Sequence, residues 1–182
     1  MISLALKVLV LGSILALLGW AAALLGNGGP GSLGDESREL VRAFPSRGTA
    51  AEFLSRDREG RAAVERRLPP FLGPSVRAHL SSAAGIAMIH WGVTLELAPV
   101  AFLVLLSAGV LGLARRERVR EGRSFASPTR SYLGKHLLVA GLAFMSGFAG
   151  SPFPAPYWAL WVSVFAGALG VFAYVANLPA KL

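Results

Sequence analysis

A chain of 182 residues has the length of one soluble domain, yet 54% hydrophobic and 15% charged residues exclude an ordinary soluble surface and point to the bilayer as solvent. It has no cysteine, which excludes disulfides, thiolate metal sites, iron–sulfur clusters and cysteine nucleophiles. The formal charge of +8 is uneven: seven of 18 basic residues fall between Arg115 and Lys135 against only Glu117 and Glu121, whereas the nine from Arg38 to Arg77 are nearly balanced by seven acids from Asp35 to Glu65.

Taken in chain order, Val8 to Leu25 carries no charge and, with Ile2 to Leu6 before it, is long enough for a membrane span of about 20 residues. Residues 1–25 therefore read as a first transmembrane helix. The rival reading is a secretory signal, with Lys7 as basic flank and Ala21-Ala22-Ala23 as a small-residue cleavage site. Residues 26–82 differ in kind: Gly-Asn-Gly-Gly-Pro-Gly leaves the membrane and a polar, charge-mixed stretch follows. Within it, Leu40, Val41 and Phe44 share one helical face, and Thr49 with Glu52 resembles a capping box opening a second helix as far as Leu68. Pro69 and Pro70 then break the ladder, and a third helix starts near Pro74.

From Ala83 to Ala114 the single charged residue is Glu96, in a run longer than a membrane thickness, so a helix spanning 83–114 projects from the bilayer. Counting back about 20 residues from Arg115 puts Glu96 at the far interface, His90 and Trp91 at or beyond it, and Pro99 one turn inside as a kink. Residues 115–136 form a basic loop. In 137–182, the runs Leu137 to Gly150 and Tyr157 to Leu178 are separated by a proline-rich tip and read as a transmembrane hairpin, with Tyr157, Trp158 and Trp161 as interfacial anchors. The fold class is all-α: an integral membrane bundle of about four transmembrane helices with a small extracytoplasmic helical segment. Placing the basic loop in the cytoplasm puts both termini there too, with Lys7 and Lys181 in agreement.

Candidate chemistry is sparse. An intramembrane carboxylate is costly, which makes Glu96, with His90 as a neighbour, the candidate intramembrane polar site. An interface or packing role is the leading explanation, since a place near the outer boundary lets the carboxylate reach water or a neighbour, and six residues put His90 on a different side of an ideal helix. His79, His90 and His136 have no metal-binding spacing, and neither a Gly-x-Ser-x-Gly elbow nor a phosphate-binding loop is present. No catalytic residue, cofactor or metal is expected. The loop residues Arg115, Arg116, Arg118, Arg120, Arg123, Arg130 and Lys135 are candidate contacts for membrane lipid or an acidic partner, or simply a solvated topology determinant. Basic loops beside apolar runs argue against direct nucleic-acid binding. Small residues recur at Gly12, Gly19 and Gly26 and as the four-residue pairs Ala143/Gly147, Ser146/Gly150, Ser163/Gly167 and Ala166/Gly170. Such faces serve close helix packing, either within the bundle or by association with other membrane subunits or another copy.

The stretch from Gly112 through Gly122-Arg-Ser124, Arg130-Ser-Tyr132 and Lys135, followed by a hairpin with Pro152-Phe-Pro154 and Pro156, resembles a family of uncharacterised membrane proteins encoded on integrating conjugative elements and conjugative plasmids. The resemblance covers about residues 97 to 182. It implies involvement in conjugative DNA transfer as an accessory to a type IV secretion apparatus, and together with the topology and the small-residue faces it gives the expected function: a noncatalytic accessory or scaffold subunit of a bacterial inner membrane. The alternative function is a small transporter or channel subunit using Glu96.

Overall fold

The computed structural model describes residues 3–25, 47–69, 71–121, 127–152 and 157–178. They form five helices: α1 Leu4–Leu25, α2 Arg47–Arg67, α3 Pro74–Glu121, α4 Pro128–Gly150 and α5 Tyr157–Ala176. All but α2 are long and apolar enough to cross a membrane, and the chain is a multi-pass membrane protein with an all-α bundle.

The antiparallel pair α4 and α5 is the centre of the bundle. Its helices approach closely because glycines face each other: a Cβ on Gly170 would lie 2.4 Å from the Leu138 nitrogen, and one on Gly141 would lie 2.7 Å from the Ser163 carbonyl oxygen. Between helices already in lipid no water is released on contact, so backbone approach through small residues supplies the van der Waals packing. α3 runs parallel to α5, with Val93 and Leu160 in one buried cluster at one end and Gly112 against Val175 at the other. α1 lies against α4 through Gly12, which faces Ala143 and Ser146, and through Leu15, which faces Gly147. The small residues Gly12, Ala143, Ser146, Gly147, Ser163, Gly167 and Gly170 are thus used inside this bundle, while Gly26 lies outside the described residues.

One helix, α3, does two jobs. Its 48 residues extend about 72 Å at 1.5 Å per residue, more than twice the hydrocarbon thickness. Residues 89–112 run beside α4 and α5, leaving 74–88 to extend about 22 Å past those two helices. α2 folds back on this projection as an antiparallel partner. Ile86 and Ile89 are fully buried, and Leu54 of α2 packs on the cluster of Ile89, Val93, Phe148 and Leu160. In the part exposed to water, burying a side chain such as Ile86 contributes roughly 1.5–3 kcal/mol.

Several boundaries differ from expectation, each for a physical reason. Residues 74–82 and 83–114 are not separate elements, because nothing between Pro74 and Pro99 breaks a helix; the helix also continues through Pro99. Residues 115–136 are not one loop. Arg and Glu are good helix formers, so α3 keeps its ladder to Glu121 after the apolar run ends. α4 then starts at Pro128 with Ser127 as N-cap, its hydroxyl accepting from the Arg130 N–H at 3.4 Å. α2 starts at Arg47, ahead of the Thr49 capping box, and Glu52 instead pairs with Arg56 one turn on at 2.6 Å. The expected helix over Asp35 to Phe44 and the proline-rich tip at 153–156 lie outside the described residues.

Candidate functional site

The bundle has two chemically distinct ends. All four tryptophans of the sequence lie towards one of them: Trp20 near the end of α1, Trp91 where α3 leaves the bundle, and Trp158 and Trp161 in the first turns of α5. The opposite end carries Arg115, Arg116, Arg118 and Arg120 on the last turns of α3 and Arg130 and Lys135 on the first turns of α4. Aromatic side chains at one boundary and cations at the other are the pattern expected of a protein seated across a bilayer. Arg123 lies outside the described residues.

At the tryptophan end, ring nitrogens satisfy carbonyls that the helix termini leave without an intrahelical donor. The His90 Nδ1–H donates to the Ser151 carbonyl at 2.7 Å, just past the end of α4, and the ring stacks on Phe148 with centroids 4.1 Å apart. The Trp20 indole N–H donates to the Gly150 carbonyl at 3.0 Å. His79 Nε2–H donates to the Ala23 carbonyl near the end of α1. Because a carbonyl oxygen only accepts, these contacts fix His90 as the Nδ1–H tautomer and His79 as the Nε2–H tautomer. Three interhelical bonds therefore tie α3, α1 and α4 together.

That hairpin has a polar seam of its own. The Arg61 Nε–H donates to the Asp57 carboxylate at 2.9 and 3.1 Å, and its Nη1 donates across to Ser82 Oγ at 3.2 Å. Asp57 is buried and Arg61 half-buried, so removing either partner would leave the other desolvated without its counter-charge. Gly85 makes room for it, since a Cβ there would sit 2.0 Å from Asp57 Oδ1. Further out, Arg77 donates to the Glu65 carbonyl at 3.5 Å.

Glu96 and His90, the candidate intramembrane polar site, sit in different settings on α3. His90 is fully buried and bonded to Ser151, whereas Glu96 is exposed on α3. His136 lies at the basic end, edge-on to Tyr132 at 4.3 Å, far along the bundle from the other two histidines. Among the described residues no three His, Asp or Glu side chains converge on a metal-binding position. At the basic end, the Ser127 N–H donates to Asn177 Oδ1 at 3.2 Å and Asn177 Nδ2 donates to the Ala173 carbonyl at 2.8 Å, which joins the start of α4 to the end of α5.

His79, Trp20 and Asn177 belong to the working structure but not to the sequence-derived site. Their partners are backbone groups, which carry no residue identity to read. Ser127-Pro128, by contrast, is a legible helix start, and Asp57 with Arg61 has the four-residue spacing of a helical ion pair.

Substituting His90 by Phe preserves the stack on Phe148 but removes the bond from the imidazole to the Ser151 carbonyl. The expected cost is about 1–3 kcal/mol, read as a lower thermal midpoint in detergent. Glu96→Gln, at an exposed position with no partner among the described residues, should stay within about 0.5 kcal/mol of the parent.

Comparison with protein-family models, with curated proteins and with solved structures gives no match to this chain.

Proposed function

We propose that this protein is a noncatalytic membrane scaffold subunit that acts by contact, presenting the α2–α3 hairpin on one side of the membrane and its arginine-rich end on the other. The observation that carries this reading is the single helix α3, which is continuous from the hairpin through the bundle to Arg115, Arg116 and Arg118. A helix that stays continuous through Pro99 and has bonded neighbours links the two ends directly. The hairpin is closed by apolar packing and by the bonds from Arg61 to Ser82 and from Arg77 to the Glu65 carbonyl, and it is tied to α4 through His90 and to α1 through His79. Such a construction favours presenting a fixed surface to a partner.

The cationic end belongs in the cytoplasm by the excess of arginine near the membrane boundary, which puts the hairpin in the periplasm and both termini inside. The hairpin's own charges weigh less, because long, nearly balanced segments translocate despite them. The resemblance of residues 97 to 182 to membrane proteins of conjugative elements supplies the partner class: subunits of a conjugative type IV secretion apparatus in a bacterial inner membrane. Nothing in the placement of Glu96 favours the transporter reading, which needs that carboxylate in a hydrated cavity.

Purification of the tagged full chain from its native membrane in mild detergent, followed by mass spectrometry, is expected to recover other membrane subunits in reproducible ratio. Surface charge reversal on the hairpin, Glu59→Lys with Arg58→Glu, should deplete those partners and leave the chain monodisperse. Recovery of the chain alone would overturn the proposal.

A further inference from the structure

The exposed stripe of α3 that faces the acyl chains ends in a pair of guanidinium groups. Leu103, Ser107, Leu111, Arg115 and Arg118 follow one another at steps of four, four, four and three residues, so they line one helical face, and all five are exposed. Leu103 and Leu111 are 60% and 62% exposed, which is a lipid-facing surface in a chain that spans the membrane. Arg115 is the first charge past the apolar run, at the depth where a lipid lying on this stripe carries its phosphate. Neither Arg115 nor Arg118 makes a hydrogen bond or ion pair with the described residues. Glu121 continues the same face but lies one turn further from the bilayer, so both arginines stand between it and a headgroup. On the neighbouring helix, Arg130 sits one turn before the exposed Leu133, repeating the order of cation and apolar surface.

Guanidinium offers paired N–H donors that match two oxygens of one phosphate, and anionic headgroups bring net negative charge where zwitterionic ones do not. We infer that the arginine end of α3 is a binding site for an anionic phospholipid, whose acyl chains lie along Leu103 and Leu111 and whose phosphate is held between Arg115 and Arg118. The inference rests on the membrane-spanning bundle and not on the docking reading, so either can fail alone.

The test is native mass spectrometry of the full chain released from nanodiscs made of equal parts phosphatidylglycerol and phosphatidylcholine. The parent is expected to retain several-fold more phosphatidylglycerol than phosphatidylcholine, and R115Q/R118Q to retain the two equally. R66Q/R67Q removes the same charge from exposed positions on α2 and is expected to keep the excess. The single variants R115Q and R118Q, each expected to lose part of it, serve if the double variant does not fold. Retention of the full excess by R115Q/R118Q, or equal loss in both double variants, would overturn the site: the first because the arginines do not hold the lipid, the second because net charge alone explains it. Loss of a co-purifying acidic protein from R115Q/R118Q with no change in lipid retention would overturn it equally, by assigning the arginines to a protein contact.

Discussion

Gly170→Ala is expected to destabilise the bundle by about 3 kcal/mol, because overpacking against atoms that cannot move is relieved only by separating the helices. The added Cβ would lie 2.4 Å from the Leu138 nitrogen, 2.7 Å from the Gly134 carbonyl oxygen and 2.9 Å from the Leu138 Cα, and all three are backbone. No rotamer change relieves such a contact. Gly134 faces the same crossing from the other side, with the Tyr174 nitrogen at 2.5 Å, so Gly134→Ala should behave alike. Gly109→Ala is the control: its nearest neighbour would be Val171 Cγ1 at 3.6 Å, an ordinary contact. Thermal unfolding in detergent should place the first two midpoints below the parent by about 5–10 °C and leave Gly109→Ala near it. Equal behaviour of all three would mean that α4 and α5 do not cross as described.

Asp57→Ala is expected to release α2 from α3 without loosening the membrane bundle. The substitution strands the half-buried Arg61 guanidinium and removes the acceptor that aligns it with Ser82, a cost of about 1–3 kcal/mol for a polar group left without its partner. This cost falls on a two-helix projection, which has a smaller store of packing than the α4–α5 pair. Hydrogen exchange should therefore rise across residues 47–67, and trypsin should cut faster at Arg56 and Arg58, while amides of α4 and α5 keep the parent's protection. Gly85→Ala should have the same local signature, since its Cβ would meet Asp57 Oδ1 at 2.0 Å and Arg61 Nε at 3.0 Å. Protection unchanged in both variants would remove the buried seam from the account.

Much of the fold was legible because apolar run length is a one-dimensional signal. The four spanning helices follow from it. Boundaries were less legible where two signals diverge. Arg115 ends the apolar run but not the helix, since an arginine-rich segment leaves the membrane without leaving the helical ladder. The roles of His79 and His90 were hidden for a different reason: each depends on a carbonyl near the end of another helix, 56 and 61 residues away in sequence. The small-residue pattern announced close packing, but only the three-dimensional crossing assigns Gly134, Gly141, Gly167 and Gly170 to the α4–α5 contact and Gly12 to α1 and α4.

The central claim is that one continuous helix carries two polar surfaces to opposite sides of a single membrane. Because the native sequence has no cysteine, single cysteines report position without background. Glu59→Cys on α2 and Arg118→Cys on α3 are both at exposed positions. A membrane-impermeant maleimide applied to intact spheroplasts should label the chain carrying Glu59→Cys at once and the chain carrying Arg118→Cys only after the membrane is opened. Labelling of both from the same side would contradict the account, because the hairpin and the arginine end would then share one compartment.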